Sequence, residues 1–223
     1  MKTRLLTLSF IFSLVLVSAL IYSSSTDSFF NSIDFHKEKT TKKEPKFQEG
    51  DIIFQTSNSM QSQAIQLATK SKFSHVGMIV SHKGKLVVLE AVQPVKYTPI
   101  NTWIHNGQNA DYSLKRLAYR DSMLTDSVLE VMRVKGNNWI GKNYDLAFDW
   151  SDKQLYCSEL VWKMYQSGCG IELGKTRKLK DYDLSHPIVK QVIKQRYGNN
   201  IPLEENMISP QAIFESDWLI DVK

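Results

Sequence analysis

Apolar and polar positions along the chain divide it into a leader, a polar stretch and a folded body. Met1-Lys2-Thr3-Arg4 is basic and precedes an apolar run from Leu5 to Tyr22. This pattern predicts a secretory signal peptide or an N-terminal membrane anchor over residues 1–22. Residues 23–47 are rich in Ser, Thr and Lys and predict a polar linker. The folded body is expected over 48–223, opening with a strand at Gly50-Asp51-Ile52-Ile53-Phe54. Met60, Ala64, Leu67 and Ala68 recur at helical spacing behind Ser57, Asn58 and Ser59, so a helix follows, with Gln61, Gln63 and Gln66 on its polar faces.

Ser74–Val80 and Lys85–Val92 flank the polar Ser81-His82-Lys83-Gly84 and read as a β-hairpin. A turn centred on those four residues sets Val80 opposite Lys85, Gly77 opposite Val88 and His75 opposite Glu90. Pro94, Pro99 and the stretch from Thr102 to Gly107 predict an excursion from the sheet, and Tyr112–Leu117 alternates like another strand. Val128, Val131, Met132 and Lys135 predict a helix over 122–135, capped by Asp121-Ser122 and ended by Gly136-Asn137-Asn138. Leu160, Val161, Met164 and Gly168 place an amphipathic helix behind Cys157, stopped by Gly168 and Gly170. A basic loop at Lys175–Lys180 and a short helix over Pro187–Tyr197 come next. The last helix starts at Ser209-Pro210 and is expected to bury Ile213, Phe214 and Leu219.

A formal charge of +5 is modest and partly due to the leader and linker. With an export signal and no binding motif, it gives no reason to expect a nucleic-acid partner. Only Cys157 and Cys169 are present. On one helix they would stand roughly 18 Å apart, beyond disulfide reach. An exported protein that keeps two unpaired thiols directs attention to their reactivity.

Cys157 opens its helix, where unpaired N–H groups and the helix dipole favour a thiolate. His75 could take and return the proton, and Glu90 could hold the imidazole tautomer. Those are the three roles of thiol-based acyl transfer, with a backbone N–H at the helix start as oxyanion donor. Three other readings stay open for these residues: a buried structural cysteine, a cross-strand ion pair, and a zinc site lacking the usual ligand spacing. His82, His105 and His186 are expected at turns or on the surface, and Phe148 and Trp150 in the core or a pocket wall.

Gly50–Phe54, Ser74–Val80, Leu89–Val92, Tyr156–Val161 and Ile208-Ser209-Pro210 together resemble the permuted papain-like amidases of the YaeF/YiiX group. That group is related to NlpC-type cell-wall peptidases and to lecithin:retinol acyltransferase. The resemblance implies an α+β, circularly permuted papain-like (NlpC-type) fold, with an antiparallel sheet packed against the helix carrying the cysteine. It also implies Cys157 as nucleophile, His75 as base and Glu90 as the orienting residue, with no metal or organic cofactor. The function expected is a cysteine-dependent hydrolase cleaving an amide through a thioester acyl-enzyme. Its small-molecule, peptide or lipid-like substrate is expected in the cell envelope, for example a peptidoglycan peptide or an N-acyl amino acid, with the protein exported and tethered or free. A lipid acyl hydrolase or acyltransferase with the same triad, and a non-catalytic binding module, are the alternatives.

Overall fold

Six strands form one antiparallel sheet in a computed structural model that describes residues 46–222. The expected leader and all of the linker before Lys46 lie outside the described residues. Strands β1 (Ile52–Gln55), β2 (His75–His82), β3 (Lys85–Glu90), β4 (Lys96–Pro99) and β5 (Ser113–Leu117) precede a small ribbon of β6 (Arg177–Lys178) and β7 (Asn206–Met207). With β8 (Leu219–Asp221), the sheet order is β4-β3-β2-β1-β5-β8. The helices are α1 (Met60–Thr69), α2 (Ile100–Asn106), α3 (Arg120–Met123), α4 (Asp126–Trp139), α5 (Cys157–Cys169), α6 (Pro187–Tyr197) and α7 (Pro210–Phe214).

The central strands are apolar on both faces because both faces are covered. Ile52, Phe54, Val76, Met78, Val80 and Leu89 enter the main core with Leu160, Val161 and Met164 of α5. Their neighbours in sequence, Ile53, Ile79 and Val88, point the other way and pack with Leu114 and Trp103 of α2. The antiparallel sheet thus rests on the cysteine helix, as the resemblance implies.

The hairpin register differs from the sequence expectation by two residues. The pairs are Val80 with Val87, Ser81 with Leu86 and His82 with Lys85. The turn is Lys83-Gly84, both with positive φ (50° and 72°), as a tight hairpin turn of the hand favoured by strand twist requires. Glycine adopts that conformation freely, so the turn centres one residue later than expected. A slip of two preserves the face each side chain takes. His75 and Glu90 therefore share a face as diagonal neighbours instead of standing directly opposite.

Other boundaries move for physical reasons. The expected excursion contains β4, which pairs with β3, and then α2. Pro99 is tolerated because β4 lies at the sheet edge. Helix α4 starts later, behind Thr125, whose Oγ1 accepts the Val128 N–H, and runs through Gly136 to Trp139. A Cβ at Gly136 would stand 2.8 Å from Leu89 Cδ2, so glycine here permits close approach of helix to sheet. Helix α5 likewise continues past Gly168 to Cys169 and ends at Gly170, in the left-handed conformation. Leu219, expected on the last helix, lies in β8 beside β5.

Candidate active site

The start of α5 is fixed from several sides. The Glu159 carboxylate, wholly buried, accepts the Tyr156 N–H at 3.3 Å and meets Lys163 Nζ at 2.7 Å. Ser158 Oγ donates to the Ile208 carbonyl, and Tyr156 Oη accepts the Ile208 N–H. The Ile208-Ser209-Pro210 segment is thereby tied to the turn that presents Cys157.

Cys157, His75 and Glu90 are all buried, and the structure brings them together. His75 Nε2 lies 2.7 Å from Glu90 Oε2, and the imidazole also hydrogen-bonds Cys157. With Nε2 committed to Glu90, Nδ1 is the nitrogen left for the sulfur. Burial alone would lower the His75 pKa, but hydrogen bonds with Cys157 and Glu90 outweigh it and raise the value to about 10. Burial would raise Cys157, yet His75 and the N–H groups of Val76 and Ser158 bring it below its ordinary range. The two opposite shifts describe a thiolate beside an imidazolium.

Glu90 carries more than the histidine. Its Oε2 also accepts Trp103 Nε1–H at 2.8 Å, and its Oε1 accepts the Thr98 hydroxyl at 2.5 Å. Burial would raise the carboxyl, but His75, Thr98 and Lys96 hold it below the usual range. The Trp103 ring stacks on His75 with centroids 5.6 Å apart. Neither Trp103 nor Thr98 is marked as functional by sequence reasoning, which leaves that whole segment outside the sheet.

Two further residues reach the sulfur or its neighbour. Tyr144, from the loop before α5, lies beside Cys157, and its Oη accepts Gln61 Nε2–H at 2.8 Å. Gln93 holds the same loop by accepting the Tyr144 N–H. Gln61 is thus a site residue, where the sequence suggests only a polar helix face. The other histidines lie elsewhere: His82 stacks on Tyr97, His105 bonds the Asn101 carbonyl, and His186 accepts the Ile188 N–H at the start of α6. Cys157 and Cys169 are both free, and burial raises the Cys169 thiol.

Two adjoining cavities reach the pair, one at Cys157 and one at His75. One, of about 100 Å³, runs from Cys157 between α1 and α6 and is walled by Ala64, Ile65, Val189, Val192, Ile193 and Phe148 among others. The second, of about 360 Å³, is a cleft of mixed lining reaching His75, with Ser57, Ser59, Ser74 and Gln93 beside Ala91, Val92 and Leu146, and so more polar than the first. Gln61, Ile65 and Tyr144 line both.

Comparison with known proteins agrees with this architecture. Residues 46–222 match the family of permuted papain-like amidase enzymes, YaeF/YiiX. The protein YiiX of Escherichia coli is 47% identical over 175 residues, spanning 78% of this chain and 85% of its own length. A crystal structure of yiiX from Escherichia coli, described as a metalloprotein, superposes with a TM-score of 0.74 at 48% identity, covering 79% of this chain and 96% of its own. The chain therefore belongs to the permuted papain-like amidase family YaeF/YiiX.

Proposed function

We propose that this protein is a cysteine amidase of the cell envelope that cleaves N-acyl amides with an apolar acyl group. The observation that carries the reading is the apolar cavity between α1 and α6 that reaches Cys157, with the more polar, mixed cleft reaching His75. An acyl chain fills the first and the leaving amine occupies the second. A peptidoglycan peptide, being polar on both sides of its scissile bond, matches the first cavity poorly. The apolar run of residues 5–22 supports a location at the membrane, where acyl amides reside.

The thiolate of Cys157 attacks the amide carbonyl, and the carbonyl oxygen becomes an oxyanion. The Cys157 backbone N–H donates to it, and the Tyr144 hydroxyl, whose oxygen accepts from Gln61, turns to it from the sulfur as the thiolate charge is spent. Imidazolium His75 then gives its proton to the departing nitrogen, the C–N bond breaks and a thioester remains. Water attacks the thioester as His75 takes its proton, releasing the carboxylic acid and the thiolate. Glu90 keeps the ring oriented and its charge supported throughout. The described residues hold no group of three His, Cys, Asp or Glu set to bind a metal, and Nε2 of His75 is taken by Glu90. The donor set therefore does not suit a metal centre, and no step is routed through one.

The test is hydrolysis of N-acylglycines from acetyl to dodecanoyl. Each buried methylene is worth about 0.8 kcal/mol, or roughly fourfold, so burying even two of them raises kcat/KM by about tenfold or more over the series, with a plateau once the cavity is full. A flat series, or cleavage of peptides alone, would overturn the acyl reading. Glu90→Gln tests the histidine's support. A Gln oxygen can accept from His75 and Trp103 while its amide faces the rotatable Thr98 hydroxyl, so the change removes charge and little else. We expect kcat to fall by about 10- to 100-fold without vanishing, and a wild-type rate would remove Glu90 from the mechanism.

A further inference from the structure

The cavity beside Cys157 is graded along its length. Helices α1 and α6 run antiparallel across it: Arg196, near the end of α6, donates to Gln61 Oε1 in the first turn of α1 at 3.1 Å. At the opposite end, the Asp183 N–H just before α6 meets the Ala68 carbonyl near the end of α1. Val189 and Ala68 therefore line the distal, apolar end. Arg196 lines only the first cavity, at the end where its partner Gln61 lines both it and the cleft.

Apart from Cys157 itself, Arg196 is the sole residue lining this cavity that carries a formal charge. Its guanidinium lies over the Phe148 ring at 4.4 Å and donates to Gln61, with the Tyr197 side chain beside it. Among the described residues no carboxylate pairs with it within ion-pair distance. The one acid of the adjoining loop that is fully buried, Asp145, accepts the Ala147 N–H instead. A half-buried guanidinium offers five donors in a fixed fork, and those left over suit a carboxylate or phosphate.

Resting on the acyl-amide reading above, we propose that Arg196 makes the enzyme selective for amides whose leaving amine carries an anion next to the scissile nitrogen, as in an N-acyl α-amino acid. Gln61 touches both Arg196 and Tyr144, and Tyr144 lies beside Cys157. Only two side chains thus separate the guanidinium from Cys157. The α-carboxylate of an N-acyl amino acid lies two bonds from the scissile nitrogen, so an acyl chain directed toward Val189 with its carbonyl at Cys157 leaves that carboxylate at the Arg196 end. The remaining donors would form a charge-assisted, bidentate pair with it.

The experiment uses three ligands with one acyl chain: N-dodecanoylglycine, its neutral glycinamide, and N-dodecanoyl-phosphoethanolamine. Binding to the Cys157→Ala variant is measured by calorimetry and turnover by the unmodified protein, each with and without Arg196→Met, while Arg196→Lys keeps the charge without the fork. N-Dodecanoylglycine is expected to bind about tenfold or more tighter than the glycinamide, a preference that Arg196→Met erases and Arg196→Lys retains in part. A phosphoethanolamide preferred over the glycine conjugate assigns the anion to a lipid headgroup and overturns the amino-acid assignment. Equal binding of charged and neutral ligands, or equal losses for both in Arg196→Met, overturns anion selection and leaves Arg196 as a support for Gln61. The anion preference without turnover of any ligand would refute the amidase reading and uphold this one, and turnover without preference would do the reverse.

Discussion

In the His75→Ala variant, the pH midpoint for iodoacetamide alkylation of Cys157 is expected to rise from its lowered position to at least the ordinary thiol value of about 8.5. Cys157 is buried, and burial disfavours its thiolate. Against that stand the His75 imidazolium and the N–H groups of Val76 and Ser158, of which His75 has the largest influence. Once the ring is gone, burial prevails and the thiol keeps its proton through neutral pH. The sign follows from the direction of each shift. The ion pair persists below the raised His75 value of about 10 and above the lowered Cys157 value. Labelling of the wild type should therefore fall away only as the solution becomes acid enough to protonate Cys157. Cys169 is the internal control, because its thiol is raised by burial and has no imidazole beside it. Reading the midpoint is more decisive than a rate at one pH, since a thiolate of higher pKa is intrinsically the better nucleophile and partly masks its scarcity. An unshifted midpoint would show that the backbone N–H groups alone activate the sulfur. Turnover should fall with the shift, by about 10³-fold or more.

How much of this site can be read from sequence depends on whether its residues meet through a local period. His75 and Glu90 do, because alternation assigns both to one face of a hairpin, and a two-residue error in register leaves that parity intact. Cys157 does, because a helix start is marked by the apolar spacing that follows it. Strand β4 is hidden by being four residues long and bounded by Pro94 and Pro99, which read as breakers when an edge strand is not suspected. With it goes α2, although Ile100, Trp103 and Ile104 stand at helical spacing and could have revealed that Trp103 faces inward. Tyr144, Gln61 and Arg196 carry no such mark. They meet across α1, the loop before α5, and α6, through contacts 83 and 135 residues apart in sequence. No local pattern encodes a contact of that range, and a glutamine on a helix reads as solvated until the element that covers it is known.

Cys157→Ala is expected to lower amide hydrolysis by about 10⁴-fold or more while the protein remains folded. The substitution deletes one sulfur atom from a helix start held independently by Glu159, Ser158 and Tyr156, so the helix keeps its place. Loss of a small buried group and of one ion-pair partner for His75 costs on the order of 1–2 kcal/mol, a few degrees in Tm for a domain of this size. The oxyanion donors and the cavities survive, so binding of N-acyl ligands should persist and a small residual catalysis is allowed. On the proposed mechanism the nucleophile is lost, and Ser158, its neighbour in sequence, does not replace it because its hydroxyl donates to the Ile208 carbonyl. Thermal unfolding, ligand binding and turnover measured on one preparation separate the explanations. A folded variant that binds and does not turn over identifies Cys157 as the nucleophile. Hydrolysis within tenfold of wild type in the same variant would mean that water attacks the amide directly and that the buried thiolate serves some other end.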